Sequence, residues 1–282
     1  MGELYLVGTP IGNLEDMTFR AIYTLQHVDL IACEDTRVTK KLCHHFEITT
    51  PLKSYHDHNK EQETETLIDM LVAGKTIALV SDAGLPLISD PGYELVVRAR
   101  EQGVTVVPIP GPNAGLTALM ASGLPSFTYT FLGFLPRKSR DKTALLETRM
   151  YQDSTLLLYE SPHRVKDTLE VIAQIDAERT VTLGRELTKK FEQITTAPVT
   201  SLLEQLETDI PLRGEFVVII EGATPEGATP IEGTVWFETL SVEDHVTHYI
   251  DEGMKPKAAI KKVAKEREMS SKTVYNIFHD IH

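Results

Sequence analysis

Short, mostly apolar runs recur along the first part of the chain, each four or five residues long: Leu4–Val7, Asp29–Cys33, Leu52–Tyr55, Ile77–Val80 and Val104–Pro108. Runs of that length bounded by turn residues predict buried strands. Between them the apolar spacing becomes helical. Phe19, Ile22, Tyr23 and Leu25 mark a helix over Thr18–Gln26, and Leu67, Ile68, Leu71 and Val72 mark another over Glu61–Ala73. Shorter helices are expected over Lys40–Phe46 and Gly92–Glu101. The alternation predicts an α/β lobe with a mostly parallel sheet. Three strands run into tight turns: Gly8-Thr9-Pro10-Ile11-Gly12-Asn13, Ser81-Asp82-Ala83-Gly84-Leu85-Pro86 and Pro110-Gly111-Pro112-Asn113-Ala114. Such turns sit at the carboxyl edge of the sheet, where open α/β sheets bind ligands. Glycine allows close backbone approach there, and proline stiffens the loop.

A small-residue helix is expected over Asn113–Gly123, and a second α/β lobe begins near Phe127. Its strands are expected at Tyr129–Gly133, Thr155–Glu160, Thr180–Arg185 and Gly214–Glu221, with helices at Lys142–Met150, His163–Ile175 and Val199–Leu206. A Gly/Pro-rich linker, Glu221 to Pro230, follows. Beyond it, helices at Val242–Glu252, Lys257–Glu268 and Ser271–Asp280 form a small helix-turn-helix-like module, with Gly253 as a C-cap, Pro256 as a start, and Ser270 or Ser271 as an N-cap. The expected division is residues 1–113, 114–224 and 236–282.

Composition narrows the class. The chain has 282 residues, 41% apolar and 24% charged, enough for two or more proper cores. The apolar runs are strand-sized, so no membrane helix is expected, and with no basic region followed by an apolar stretch near the first strand no secretory leader is expected either. Only Cys33 and Cys43 occur and neither belongs to a C-x-x-C pair, which disfavours a disulfide framework or structural zinc and suits a reducing cytoplasm. Net charge is -13, but from residue 254 onward seven Lys/Arg face three acids. The tail is therefore +4 and the first 253 residues are -17. A basic appendage on an acidic body is either a contact surface or a solvated helix face.

The turns can be tested for chemistry. Gly8–Asn13 lacks the Gly-Lys-Ser/Thr ending that holds a β/γ-phosphate, and G-x-G-x-x-G is absent. A non-phosphate ligand such as an adenosyl group fits, as does a plain turn. Asp82 can accept from ribose hydroxyls or an amine, or simply cap a turn. Glu34-Asp35-Thr36-Arg37, Tyr159-Glu160-Ser161-Pro162-His163-Arg164 and Gly184-Arg185-Glu186-Leu187-Thr188-Lys189 each follow a strand and join an acid to an arginine. Each is a reactive acid with its orienting cation, or an internal ion pair. His56-Asp57-His58 invites a metal, but the two histidines alternate at a strand end and no third ligand is evident, so no metal is expected.

Taken together, Leu6 through Leu14, Glu34-Asp35-Thr36-Arg37, Ser81-Asp82-Ala83-Gly84, Pro110-Gly111-Pro112-Asn113-Ala114, Leu132-Gly133-Phe134-Leu135-Pro136, Glu160-Ser161-Pro162-His163-Arg164 and Gly214-Glu215-Phe216-Val217 resemble the tetrapyrrole methylase superfamily. The likeness is closest to its ribosomal RNA small subunit methyltransferase I family and spans residues 3–222, with the C-terminal module also fitting. The resemblance implies two α/β lobes with S-adenosylmethionine in the cleft between them. It implies 2′-O-methylation of a cytidine ribose in small-subunit ribosomal RNA near the decoding centre, and a homodimer. Carried over by motif, the cofactor should touch Pro10, Asp82, Leu85, Asn113, Ala114, Tyr159, Leu187 and Gly214.

The reaction needs alignment and a proton acceptor for the ribose hydroxyl. Asp35, Glu160 and Glu186, each expected at a strand end, are the candidates, with Arg37, Arg164 and Arg185 holding RNA phosphate or orienting the acid. The acidic body is in tension with RNA binding. Arg137 and Lys138 of Arg137-Lys138-Ser139-Arg140, and Lys261 and Lys262 in the tail, are the expected contacts to the small ribosomal subunit. Two other readings stay open: carbon methylation of a corrin or porphyrin precursor, and a nucleic-acid-binding regulator whose body is a small-molecule sensor.

Overall fold

Five parallel strands build the first sheet: β1 (Glu3–Val7), β2 (Leu30–Cys33), β3 (Leu52–Ser54), β4 (Ile77–Val80) and β5 (Thr105–Ile109), in the order β3-β2-β4-β1-β5. The structure is a computed structural model and describes residues 1–206, 208–223, 237, 240–251, 253–267 and 269–279. Every residue of β2 and β4 is buried, because helices cover both faces. On one face Val7, Ile31, Cys33, Ala78 and Val80 pack with residues of α1 (Phe19–His27) and α2 (Thr36–His45). On the other, Leu4, Leu30, Ala32, Ile77 and Leu79 pack with residues of α3 (Lys60–Val72) and α4 (Tyr93–Glu101). The alternation along each strand, one residue to each core, is the two-residue period of a pleated strand.

The second sheet is mixed. Its strands are β6 (Tyr129–Phe134), β7 (Thr155–Glu160), β8 (Thr180–Arg185), β9 (Gln193–Pro198) and β10 (Phe216–Ile220), ordered β6-β7-β10-β8-β9. Only β6 and β7 run parallel; β10 is antiparallel to β7 and β8, and β8 to β9. One face carries residues of α6 (Ser139–Arg149), α7 (Val165–Ile175) and α8 (Val199–Gln205). The other receives α5 (Ala114–Ser122), whose Ala118 and Leu119 pack with Leu157, Val217, Ile219 and Ile11.

Some boundaries shift, α6 starting at Ser139 rather than Lys142 and α7 at Val165 rather than His163, and two further differences have a clear local cause. Helix α2 starts at Thr36 rather than Lys40, because the Asp35 side chain accepts the Arg37 N–H at 2.8 Å and caps it. Strand β9 was not expected. Its sequence, Gln-Ile-Thr-Thr-Ala-Pro, has little apolar character, and it survives as an edge strand on the β8 ladder with Thr182 and Thr196 hydroxyls bonded at 2.7 Å.

The chain divides into two compact units, Met1–Pro225 and Glu226–His282. Both sheets lie in the first, with the expected 113/114 lobe boundary falling where the Asn113 side chain caps α5. The second holds α9 (Val242–Asp251), α10 (Pro256–Glu266) and α11 (Ser271–Phe278) around Val246, Tyr249, Ala259, Ile260, Val263, Ala264 and Val274. Ser270 caps α11 through the Thr273 N–H at 3.0 Å. The expected helix ends Glu252, Glu268 and Asp280, the linker from residue 224, and residue 236, where the third segment was expected to begin, lie outside the described residues. Among the described residues, no helix is long and apolar enough to cross a membrane.

Candidate functional site

Strand order explains why three separated turns meet. β1 lies between β4 and β5, so the turns after these strands are neighbours. Thr9 and Gly84 exchange backbone hydrogen bonds of 2.9 and 3.0 Å, and the Thr9 hydroxyl donates to the Ser81 carbonyl at 3.1 Å. A Cβ on Gly8 would stand 2.8 Å from the Gly111 Cα, so only glycine permits that backbone contact. The loop after β4 is strained: Leu87 and Ser89 are non-glycine residues at φ 71° and 69°. Such backbone persists where its surroundings over-determine it, often beside a site.

These turns and the ends of β7 and β10 enclose a cavity of about 390 Å³, within the range of small-molecule sites. Of the expected cofactor residues, Asp82, Leu85, Asn113, Ala114, Tyr159 and Gly214 line it. Pro10 does not; its neighbour Ile11 does. Leu187 is buried with Ile11 in the core behind the wall. Asn113 holds the start of α5 by accepting the Leu116 N–H at 2.9 Å. The Tyr159 ring stands edge-on to Phe131 and Phe134, and burial raises its hydroxyl pKa.

The cavity wall carries Asp82, Asp90, Glu160 and Glu215, and no Lys, Arg or His. Each of these acids has a partner. Asp82 accepts the Asp35 backbone N–H at 3.0 Å. Glu160 is buried; it accepts from the Ser161 N–H at 2.8 Å and the Thr168 hydroxyl at 2.9 Å, and lies 3.5 Å from Arg164. Thr168 in turn meets the buried Lys142 ammonium at 3.2 Å. Glu215 pairs with Lys189 at 3.1 Å. Asp90 is half-buried and faces Glu34, Asp82 and Asp57; burial first, then those charges, push its carboxyl up to about 6 against a hydrogen bond from Ser81.

The other two expected acids lie off the cavity wall. Asp35 caps α2 and binds Arg37 through both carboxylate oxygens, which holds its pKa down at about 2. Glu186 packs over Gly214 and accepts from Lys189 at 3.0 Å and the Glu215 N–H at 3.1 Å. Burial would raise its pKa, but those bonds and the nearby cations hold it below the usual range.

The expected RNA contacts separate. Arg37 is exposed but paired with Asp35 at 2.6 Å. Arg164 donates to the Leu135 and Pro136 carbonyls at 2.8 and 3.0 Å, bracing the turn after β6. Arg185 is only 5% exposed and donates to the Arg213 and Phe191 carbonyls, so it braces the chain and cannot reach a phosphate. Arg137 and Lys138 are exposed at the start of α6. In the second unit Lys261 is exposed, whereas Lys262 lies over the Tyr249 ring at 3.9 Å. The His56 and His58 rings are 5.8 Å apart, and among the described residues no group of three or more His, Cys, Asp or Glu could hold a metal ion.

Sequence reasoning missed Asp90, Ser89 and Phe134 on the cavity wall. The signal was present in Ser89-Asp90-Pro91-Gly92, a turn sequence on the same post-β4 loop as Asp82. The apolar wall formed by Ile11, Leu85, Ile88 and Phe134 suits a flat ring, and Asp82 suits hydroxyl or amine donors. An anionic wall repels phosphates and favours a ligand with positive charge.

The sequence model for tetrapyrrole (corrin/porphyrin) methylases matches residues 3–203. The chain is 52% identical to a ribosomal RNA small subunit methyltransferase I of Halalkalibacterium halodurans, over 99% of this chain and 95% of that protein. It is 50% identical to the Bacillus subtilis protein of the same name, over 99% and 94%. Among solved structures, uroporphyrin-III C-methyltransferase of Thermus thermophilus complexed with S-adenyl homocysteine superposes with a TM-score of 0.53 at 20% identity, covering 78% of this chain and 97% of that one.

Proposed function

The chain belongs to the tetrapyrrole (corrin/porphyrin) methylase family and, within it, to the ribosomal RNA small subunit methyltransferase I family; we propose that it methylates a cytidine ribose 2′-hydroxyl of small-subunit ribosomal RNA, near the decoding centre, using S-adenosylmethionine. The carrying observation is the cavity itself: apolar walls, four carboxylates and no cation among its lining residues. That donor set suits an adenosyl sulfonium and disfavours a nucleotide phosphate. Asp82, Asn113, Ala114 and Tyr159 would hold the cofactor. When bound, it supplies a methyl carbon activated by positive sulfur, which departs as a neutral thioether.

The protein's part is alignment and proton removal. Asp90 accepts the proton that the ribose hydroxyl releases as its oxygen bonds to the methyl carbon. The other acids are less suited. Asp35 is held at about 2 by Arg37, Glu186 is paired with Lys189, and both Glu160 oxygens accept structural hydrogen bonds. A carboxyl near 6 is basic enough to take a proton and still ionised at neutral pH. The protein works in the cytoplasm as a homodimer on the small ribosomal subunit.

Radiolabelled methyl donor offered with small ribosomal subunits, and separately with a tetrapyrrole precursor, tests this reading. Label should appear on ribose of the ribosomal RNA; label on the tetrapyrrole alone, or on neither, refutes it.

A further inference from the structure

In the C-terminal unit, the first turns of α10 and the exposed face of α11 enclose an open groove of about 540 Å³. Lys257 and Lys261 line one side, Lys272 the other, and no carboxylate belongs to the lining. These three ammonium groups are exposed, and among the described residues none is in an ion pair. Lys257 and Lys261 are one helical turn apart and so project along one edge. The neighbouring lysine is used differently: Lys262 packs on Tyr249. Two of the module's described acids are engaged elsewhere. Glu266 accepts from the Tyr249 hydroxyl at 2.9 Å, and Asp244 accepts from Ser241 at 2.8 Å.

Tyr275 forms part of the groove floor. It is 47% exposed, with its ring centroid 4.3 Å from that of His279. A large aromatic left open between lysines is the pairing that single-stranded nucleic-acid sites use, cations for backbone and a ring for an unstacked base. A protein partner would not by itself require three unpaired lysines around one aromatic. The acidic remainder of the chain makes this local charge the more telling, since phosphate binding needs cations.

We infer that this groove grips an unpaired segment of ribosomal RNA, with Lys257, Lys261 and Lys272 on successive phosphates and Tyr275 stacked on a base. The inference rests on the proposed ribosomal RNA substrate and adds the surface that holds it.

The test uses the full-length protein, intact small subunits and a fluorescent single-stranded RNA oligonucleotide of twelve or so nucleotides. The triple variant Lys257→Ala/Lys261→Ala/Lys272→Ala should bind both at least tenfold more weakly at low salt. Its log–log salt slope should flatten by about 2, the value for three lost contacts on a single strand. Tyr275→Ala should lose about tenfold with the slope unchanged, and Tyr275→Phe should restore affinity. Lys262→Ala should leave the slope at the wild-type value. Circular dichroism and cofactor calorimetry establish that each variant is folded. Wild-type affinity and slope in the triple variant overturn the inference, as does equal competition by duplex DNA of the same length. Failure of the wild-type protein to methylate subunits would instead overturn the substrate assignment on which it rests.

Discussion

Replacing Asp90 by Asn should make the protein slower and more stable at once. The carboxyl is held at about 6 rather than its ordinary 3.8, chiefly by burial. That rise corresponds to about 3 kcal/mol against the ionised form in the folded state, and solvent screening at a half-open site reduces it to about 1 kcal/mol. The sign follows from proton counts. Between 3.8 and about 6 the folded protein binds the proton that the unfolded chain has released, so stability falls as pH rises through this window. Above about 6 the penalty is constant, and it is absent below 3.8. Asn carries no such penalty. Urea titrations should therefore show Asp90→Asn more stable by about 1 kcal/mol at pH 8, with the gap closing toward pH 4. The same change removes the proton acceptor, so kcat/KM for methyl transfer to small subunits should fall by about 10²–10⁴. In the parent, log(kcat/KM) should climb with unit slope to about pH 6 and then level; in the variant that bend should vanish. A variant within threefold of the parent rate, with the bend intact, would refute the assignment of Asp90.

Two further outcomes follow from the partners already described. Glu160→Ala leaves the Ser161 N–H and the Thr168 hydroxyl without their acceptor and removes the carboxylate 3.5 Å from Arg164, so it should destabilise the first unit by about 3 kcal/mol in urea; a loss below about 1 kcal/mol would show the buried carboxylate to be dispensable. In the second unit His245 is fully buried, accepts from Arg267 at 3.0 Å, and has its pKa lowered, chiefly by burial. The folded module thus resists protonation that the unfolded chain accepts, and its stability should drop as pH falls below about 6.5. Circular dichroism melts of the full chain should show this in the parent and a weaker pH dependence in His245→Gln.

The strand and helix pattern was legible because burial on both faces of β2 and β4 demands uninterrupted apolar runs, and because the helices keep one apolar side. Three Gly/Pro turns pointed to the ligand edge, and Asp82, Asn113 and Tyr159 could be named from motifs on those turns and strand ends. What the sequence could not rank was the use of each charge. Asp35-Thr36-Arg37 and Glu160 through Arg164 read equally well as reactive pairs or internal bonds, and only the fold shows the internal bonds, by placing capped backbone and carbonyls within reach. Arg185 and Lys262 look like any surface cation until packing buries one and lays the other on Tyr249. Asp90 became distinctive only when folding gathered Glu34, Asp57 and Asp82 around it, from the ends of three neighbouring strands. Local pattern determines which segments become strands and helices, since that depends on period and turn chemistry along the chain. Which acid keeps an open face, and which lysines stay unpaired, depends on neighbours distant in sequence, and only tertiary contact supplies them.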